Sequence, residues 1–464
     1  MLFGIAVIVI AGAIVYMRNM SAFDLLFNQL AIFWALVANT WWMWLPPLLG
    51  VSGWNLWKYY LKARYSKNLK WMTLEVRIPR DISKTPEAME QVFAGLQTMF
   101  WEFDPWEKYW LGLQHDHLSF EIASLAGETR FYIRLPVFYK NLVESQIYAQ
   151  YPEVEIVEVE DYIARLPPGA PDKEWNLFGV EFKLEKPDGY PIRTYREILS
   201  LTASAEEFEK VDPFSSMMEL FGRIGPGEHL GLHLLIRPVR SDKWVKDAES
   251  LVNKLIGKKV APPKGKIARA LEPIEPLTTG WGEPLQGLFG QSSEEGPPKK
   301  KEESKGGESM MLHLSPGTRE IVAAIERNIV KPGYEVVVRF MYMGRRDIFS
   351  FSHLNAFVGA LKTYNTHTLN GFKANGPTIS STVAWWLPEF MTRAKKRHKM
   401  LLYYYYYRIR KPFVDTWSLK SNIIILNTEE LATIYHYPGA TAKAPLLPRI
   451  DVKRSEPPPM LPIG

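Results

Sequence analysis

The residues best suited to chemistry are concentrated between Trp385 and Lys411. Two tryptophans open this stretch, five consecutive tyrosines lie near its end, and cations precede and follow the tyrosines. Aromatic rings beside cations suit an anionic membrane surface, where the cations attract headgroups and tryptophan inserts among them. They also suit single-stranded nucleic acid, where rings stack on bases and cations follow phosphates. We rank membrane contact first, nucleic acid second and a solvated face last. The predicted contact residues are Trp385, Trp386, Arg393, Lys395, Lys396, Arg397, Lys399, Arg408, Arg410 and Lys411.

Motifs of common catalytic and cofactor sites are missing from the sequence. The Gly-Lys pairs that begin at Gly257 and Gly265 have Val252 and Val260 where a phosphate-binding loop needs its first glycine. The chain has no cysteine and no G-x-S-x-G nucleophile elbow. Its paired histidines lack a third ligand or lie too far apart along a strand to share a metal ion. We therefore predict no catalytic residue, no metal and no cofactor, and a protein that is not an enzyme.

The positive charge of the chain is local. The chain carries 56 basic and 50 acidic residues, yet residues 58–70 and 390–414 contain many cations and no acid. Outside those two stretches acids outnumber bases. This distribution excludes a protein that coats nucleic acid with its whole surface.

Two apolar stretches near the N-terminus predict a membrane anchor. Residues Leu2–Met17 form an unbroken apolar run, and no side chain between Asp24 and Lys58 is ionisable. We predict a two-span anchor over residues 1–57 and a basic juxtamembrane segment over 58–70, which by the positive-inside rule holds the main body in the cytoplasm. The alternative is a buried hairpin of a protein without spans.

The remaining chain is typical of α+β proteins. Residues 71–165 alternate strand and helix patterns in the order βαββαβ, which is the ferredoxin-like arrangement. A second such unit begins at residues 175–256, is interrupted by a disordered linker at 257–309, and continues over 310–440, with its last strand near 422–426. A proline-rich tail covers 441–464. The predicted fold is therefore two N-terminal transmembrane helices followed by two ferredoxin-like units.

A short helix near the C-terminus is a candidate partner site. Asn427 and Thr428 precede two glutamates, which is the pattern of a capped helix start. We predict that this helix docks a partner through Leu431, Ile434 and Tyr437. The alternative is that it packs on the sheet of its own chain.

Several segments resemble a known bacterial family. They are T-L-E-V-R-I-P-R-D-I-S-K-T-P-E-A-M-E-Q-V-F-A-G-L from Thr73, V-E-S-Q-I-Y-A-Q-Y-P-E-V-E-I from Val143 and I-L-N-T-E-E-L-A-T-I-Y-H-Y-P-G-A from Ile425. The chain resembles membrane-anchored proteins related to type IV secretion and conjugative DNA-transfer ATPases, in which a motor domain with a phosphate-binding loop follows this region. The resemblance implies a domain of unknown biochemical role beside a translocating motor.

The resemblance leads to two competing functional predictions. The first is a non-catalytic, inner-membrane assembly component that docks a separate HerA/FtsK-like P-loop ATPase at the cytoplasmic face. The second is a membrane-tethered adaptor that binds single-stranded nucleic acid. Homo-oligomerisation is left open, and an unrecognised enzyme is a weaker third class.

Overall fold

The computed structural model describes residues 22–79, 84–201, 212, 214–239, 241–256, 314–381, 388–412, 419–439 and 449–450. The chain divides into two compact units. One comprises Met1–Leu69 with Glu102–Gln114, and the other comprises Lys70–Trp101 with His115–Gly464. The predicted linker at 257–309 and nearly all of the predicted tail at 441–464 lie outside the described residues.

Within its described residues, 22–69 and 102–114, the first unit contains two helices, α1 (Ala22–Asn39) and α2 (Trp41–Asn68), and a single π-helical turn at Glu107–Leu111. Trp57 of α2 donates a hydrogen bond from its indole nitrogen to the Tyr109 carbonyl oxygen at 3.1 Å. Gly112, at φ +73°, passes so close to Leu61 that a Cβ would lie 2.7 Å from the Leu61 backbone. Glycine is therefore required at this turn both for its φ and for its size.

The prediction of two transmembrane helices is wrong. In the described part of the chain, no helix has both the length and the apolar character needed to cross a membrane. The second span, predicted between Asp24 and Lys58, is divided between α1 and α2, and in α2 Gly50, Ser52, Gly53 and Asn55 interrupt the apolar residues. Tryptophan, which suggested the span, is amphipathic because its apolar ring carries an N–H donor, so it indicates a polar–apolar boundary rather than an apolar interior. The first predicted span, Leu2–Met17, lies outside the described residues. The predicted localisation, a multi-pass protein of the inner membrane, is wrong for the same reason: the described helices include none that could cross a membrane.

The second unit is built on one sheet, and its first half has the predicted βαββαβ order. The elements are β1 (Trp71–Pro79), α3 (Pro86–Leu96), β2 (Leu118–Leu125), β3 (Glu128–Pro136), α4 (Lys140–Gln150) and β4 (Glu155–Val159). Strand β1 pairs with both β3 and β4, and β2 pairs with β3, always antiparallel. The resulting order β4-β1-β3-β2 is that of a ferredoxin-like unit.

The second half repeats this topology with additional helices. Its elements are β5 (Trp175–Leu184), α5 (Tyr195–Leu201), α6 (Ser215–Gly222), β6 (Glu228–Pro238), α7 (Ser241–Leu255), α8 (Pro316–Ile329), β7 (Gly333–Arg345), α9 (Ser352–Lys362), β8 (Phe372–Ala374), α10 (Glu389–Ile409), β9 (Ile424–Asn427), α11 (Thr428–Ile434) and β10 (Arg449–Ile450). The strand order here is β6-β7-β5-β8.

The strand predicted to complete this half was misassigned. β8 is the fourth strand, and it pairs with β5. The strand near 422–426 is β9, which pairs with Gly333–Val336 at the start of β7. Strand β7 is long enough, at 13 residues, to pair with both β9 and β5 along one side.

The two halves share a single continuous sheet. Strand β2 pairs antiparallel with β6, from Leu118 opposite Ile236 to Leu125 opposite His229. Helices α3, α4, α6, α9 and α11 pack on one face and form the main core with alternate strand residues. Residues of α10 pack on the opposite face with Met341, Met343 and Tyr132. Both faces are therefore covered, which explains why strands such as β7 are buried almost throughout.

Candidate anion-binding site

Helix α10 carries most of the predicted contact residues, and its C-terminal half is seated on the sheet by tyrosines. Tyr403, Tyr404 and Tyr407 are buried, while Tyr405 is exposed, as expected when the residues three and four apart share one helix face. The Tyr403 hydroxyl lies 2.8 Å from the Phe340 carbonyl oxygen and 3.0 Å from that of Val180. Most of the tyrosine run therefore packs against the sheet of its own chain.

Two strand glycines make room for these rings. A Cβ on Gly179 would lie 2.0 Å from a ring carbon of Tyr403, and one on Gly231 would lie 1.9 Å from the Tyr407 hydroxyl. Real Cβ contacts are never this short, so neither position accepts a side chain while the helix stays in place. A glycine inside a strand is a sign of close approach by another group, so these two glycines are the signal in the sequence that could have indicated a helix packed here.

Two buried arginines hold the C-terminal end of α10. Arg339 of β7 donates to Glu181 and to the backbone oxygens of Tyr406 and Lys411. Such donors satisfy carbonyls that the helix end leaves without partners. Arg410, in the left-handed conformation at φ +50°, turns back from the helix end to Glu121 and Asp161. These contacts fix the position of α10.

The Arg410 contact is the centre of a buried ionisable cluster. Arg410 and Glu121 form a two-pronged ion pair at 2.9 and 3.0 Å, with both side chains almost completely buried. Burial alone would raise the pKa of Glu121, but the Arg410 guanidinium and a hydrogen bond from Ser119 lower it to about 2. The carboxylate and guanidinium therefore stay charged at neutral pH.

Neutral partners complete this cluster. Tyr162 contacts both Glu121, at 2.8 Å, and His233, at 2.7 Å. Burial lowers the pKa of His233 well below its ordinary value and that of His229 to about 4, so both imidazoles are neutral at pH 7. Glutamate, histidine and tyrosine are typical acid–base groups, but here all three are shielded from solvent. Glu121, His233 and Tyr162 are therefore not exposed to a ligand, and their contacts with Arg410 and Tyr407 connect α10 to strands β2 and β6.

The predicted contact residues separate into three groups. Trp385 and Trp386 lie outside the described residues. Arg410 was predicted to contact a ligand but is 1% exposed, so this prediction is wrong. The remaining cations lie on the surface or are half-buried, namely Arg393, Lys395, Lys396, Arg397, Lys399, Arg408 and Lys411.

Three of these cations line one cleft, which we call the basic groove. It has a volume of about 590 Å³ and lies between the N-terminal half of α10 and the loop before β5. Arg393, Lys396 and Arg397 face it because they are spaced three and four residues apart on one side of the helix. Two further lining cations, Lys173 and Arg346, come from elsewhere in the chain and were not among the predicted contact residues.

The acids near the basic groove do little to neutralise it. The only carboxylate among its described lining residues belongs to Asp172, and backbone N–H groups of Trp175 and Glu174 occupy it and lower its pKa. Arg393 pairs with Glu389 one turn away, but both side chains are more than three-quarters exposed, where ion pairs are weak. In the part of the chain described, Lys173, Lys396 and Arg397 make no ion pair. The groove therefore presents a concentration of positive charge.

A second cleft, the aromatic cleft, lies at the other end of α10. It has a volume of about 540 Å³ and is lined by Trp71, Arg134, Asp161, Ile163, Ala164, Tyr405, Arg408 and Ile409. The Arg134 guanidinium lies 5.5 Å from the centre of the Trp71 ring and pairs with Asp161 at 3.3 Å. The Tyr405 side chain is 56% exposed.

The predicted docking helix is buried. Leu431, Ile434 and Tyr437 are at most 2% exposed and belong to the main core. Helix α11 has the predicted cap, because the Asn427 side chain accepts a hydrogen bond from the Glu430 N–H and the Glu430 carboxylate accepts one from the Asn427 N–H. The structure thus supports the alternative, a helix that packs on its own sheet.

The fold and this site describe an α+β protein with a continuous antiparallel sheet and a strongly basic groove beside one helix. A family model described as a domain of unknown function (DUF8128) matches residues 62–446, which is more than half of the chain. The chain belongs to this family. A comparison with curated proteins finds no match. The family description states no function, so the link to secretion and conjugation proteins stays a prediction.

Proposed function

We propose that the chain is a non-catalytic nucleic-acid-binding protein whose basic groove holds backbone phosphates. The single observation that carries this proposal is the convergence of five cations from three separate parts of the sequence on one groove, namely Lys173, Arg346, Arg393, Lys396 and Arg397. Lysine and arginine contacts to phosphates supply most of the affinity of nucleic-acid-binding proteins.

The arrangement of these cations argues against an ordinary solvated face. Like charges three and four residues apart destabilise a helix by about 0.2–0.5 kcal/mol per pair, and Arg393, Lys396 and Arg397 repeat that spacing. Arg346 donates a hydrogen bond to the Asp172 carbonyl oxygen, but placing it and Lys173 in the same cleft adds to the repulsion among the cations. A bound polyanionic ligand would attract all five cations and reduce the repulsion among them.

Docking of a HerA/FtsK-like motor, the function that the resemblance implies, lacks comparable support. The three residues predicted to contact the motor are buried within their own chain. We therefore favour the second of the two functions predicted from the sequence, without its membrane tether.

The test is the affinity of the full chain for a fluorescently labelled thymidine oligonucleotide, measured by anisotropy. The double variant Lys396→Ala/Arg397→Ala removes two groove cations and should lower the affinity about tenfold or more, because each phosphate contact contributes separately. The matched control is Lys246→Ala/Lys254→Ala, which removes two exposed cations from α7, far along the chain from the groove residues. It changes the net charge equally and should bind as the unmodified chain does.

Two results would contradict the proposal. One is an equal loss of affinity in both double variants, which would indicate attraction by net charge alone. The other is equally tight binding of poly-glutamate, which would indicate an acidic protein partner rather than a nucleic acid.

A further inference from the structure

The basic groove and the aromatic cleft lie along one continuous boundary. On one side is α10, and on the other is the flanking segment, which we define as residues 161–176. Between the two clefts, the Tyr404 hydroxyl donates to the Pro167 carbonyl oxygen at 2.6 Å and Arg408 donates to that of Pro168 at 3.4 Å. The flanking segment contributes residues 161, 163 and 164 to the aromatic cleft and residues 171–173 and 176 to the basic groove. A single extended ligand could therefore follow α10 from one cleft to the other.

The aromatic cleft has a different chemistry from the basic groove. It combines two aromatic rings, Trp71 and Tyr405, with two guanidinium groups, Arg134 and Arg408. The Asp161 carboxylate also lines it and is paired with Arg134 and the buried Arg410. Nucleic-acid bases stack on such rings, while nearby arginines contact the adjoining phosphates. The Trp71 ring is held in place by Arg134, and the Tyr405 ring is open to solvent.

We infer that the aromatic cleft stacks a base of a single strand whose phosphates continue along α10 into the basic groove. This inference rests on the proposed function and adds the place at which a base is bound. It requires a single strand, because the faces of bases inside a duplex are already stacked on one another. Lys396 and Arg408 are separated by about 18 Å at 1.5 Å per helical residue. At about 3.4 Å per nucleotide of a stacked strand, roughly five nucleotides span that distance.

The experiment compares two oligonucleotides of about six nucleotides. One is oligothymidine, and the other is an abasic strand with the same sugars and phosphates but no bases. The full, unmodified chain should bind oligothymidine about tenfold more tightly, which is within the range for stacking of one base. Tyr405→Leu should reduce this preference, which then depends on Trp71 alone, and should leave the affinity for the abasic strand unchanged because the phosphate contacts remain.

Two further variants test whether the ring itself is responsible. Tyr405→Phe keeps the ring and should keep the preference. Phe390→Leu removes another aromatic ring of α10, 74% exposed and outside both clefts, and should also keep it.

The outcomes separate this inference from the proposed function. If the unmodified chain binds both strands equally, and Lys396→Ala/Arg397→Ala still weakens binding, base stacking is wrong and phosphate binding stands. A preference that is undiminished in Tyr405→Leu also overturns the inference. If neither strand binds, both the inference and the proposed function are wrong.

Discussion

Arg410 and Glu121 are separated by 289 residues in sequence and form a buried ion pair. The sequence predicts a surface cation at Arg410, which belongs to a run of basic residues with Arg408 and Lys411. What distinguishes Arg410 is the left-handed turn at the end of α10, which directs its side chain back into the chain. Such a long-range pair leaves no local signal in the sequence. The run of cations could therefore be predicted, but the burial of Arg410 within it could not.

Replacing Arg410 by methionine should destabilise the fold, because it leaves the buried Glu121 carboxylate without its cation. The folded pKa of Glu121, about 2, lies below its ordinary value of 4.5, so this group stabilises the fold above pH 4.5 and loses that contribution as the pH falls toward 2. In Arg410→Met the carboxyl stays buried without its cation, so burial raises its pKa instead. We expect the variant to be less stable by about 3–5 kcal/mol at pH 7.

This deficit should shrink as the pH is lowered from 7 to 4. Over that range the variant takes up a proton on the buried carboxyl, whereas the unmodified chain keeps it charged. Urea denaturation at several pH values measures the difference, provided each transition is two-state. Arg393→Met removes an exposed ion pair and serves as control, with a loss below about 1 kcal/mol. A deficit of Arg410→Met that is independent of pH would argue against the charged pair.

At the scale of elements, the position of α10 decides which residues can form a site. The sequence predicted a basic aromatic segment, and the helical period separates its buried tyrosines from the exposed cations. It could not predict which surface covers the tyrosines, because Gly179 and Gly231 come from distant strands. The groove was missed for the same reason, since Lys173 and Arg346 join it only after folding.

Gly231→Ala tests how closely α10 sits on the sheet. The new methyl group would overlap the Tyr407 hydroxyl, so we expect a loss of about 1–3 kcal/mol from overpacking. Tyr407→Phe removes the hydroxyl and should restore part of this stability, which a double-mutant cycle measures as favourable coupling. The control is Gly359→Ala in α9, where a Cβ meets nothing within 4 Å. It should be neutral or stabilising. Strictly additive effects of Gly231→Ala and Tyr407→Phe would show that the two residues are not in contact.

At the scale of the whole second unit, the repeated βαββαβ pattern predicted much of the topology. Local strand and helix patterns indicated most of the elements of each half. The joining of the halves through β2 and β6 was not predicted, because strand pairing between distant segments depends on contacts that no local period reports. The apolar, tryptophan-rich N-terminal region was the largest error, since low charge alone does not make a helix apolar enough to span a membrane.

The pairing of β6 with β7 predicts how the chain responds to cleavage. β6 precedes residues 257–313 and β7 follows them, and the two strands pair from Glu228 opposite Gly344 to Pro238 opposite Tyr334. A protease site engineered near residue 290 should therefore give two fragments that elute together in size-exclusion chromatography. Urea should separate them. Fragments that separate in native buffer would contradict the continuous sheet.

The most direct test of the central claim is the salt dependence of oligothymidine binding by the full chain. For single strands, the logarithm of the binding constant falls with the logarithm of salt concentration by about 0.7 for each phosphate neutralised. If Lys396 and Arg397 each contact a phosphate, Lys396→Ala/Arg397→Ala should reduce this slope by about 1.4. The control variant Lys246→Ala/Lys254→Ala should keep the slope of the unmodified chain. A slope that is the same in all three proteins would show that the basic groove does not hold the nucleic-acid backbone.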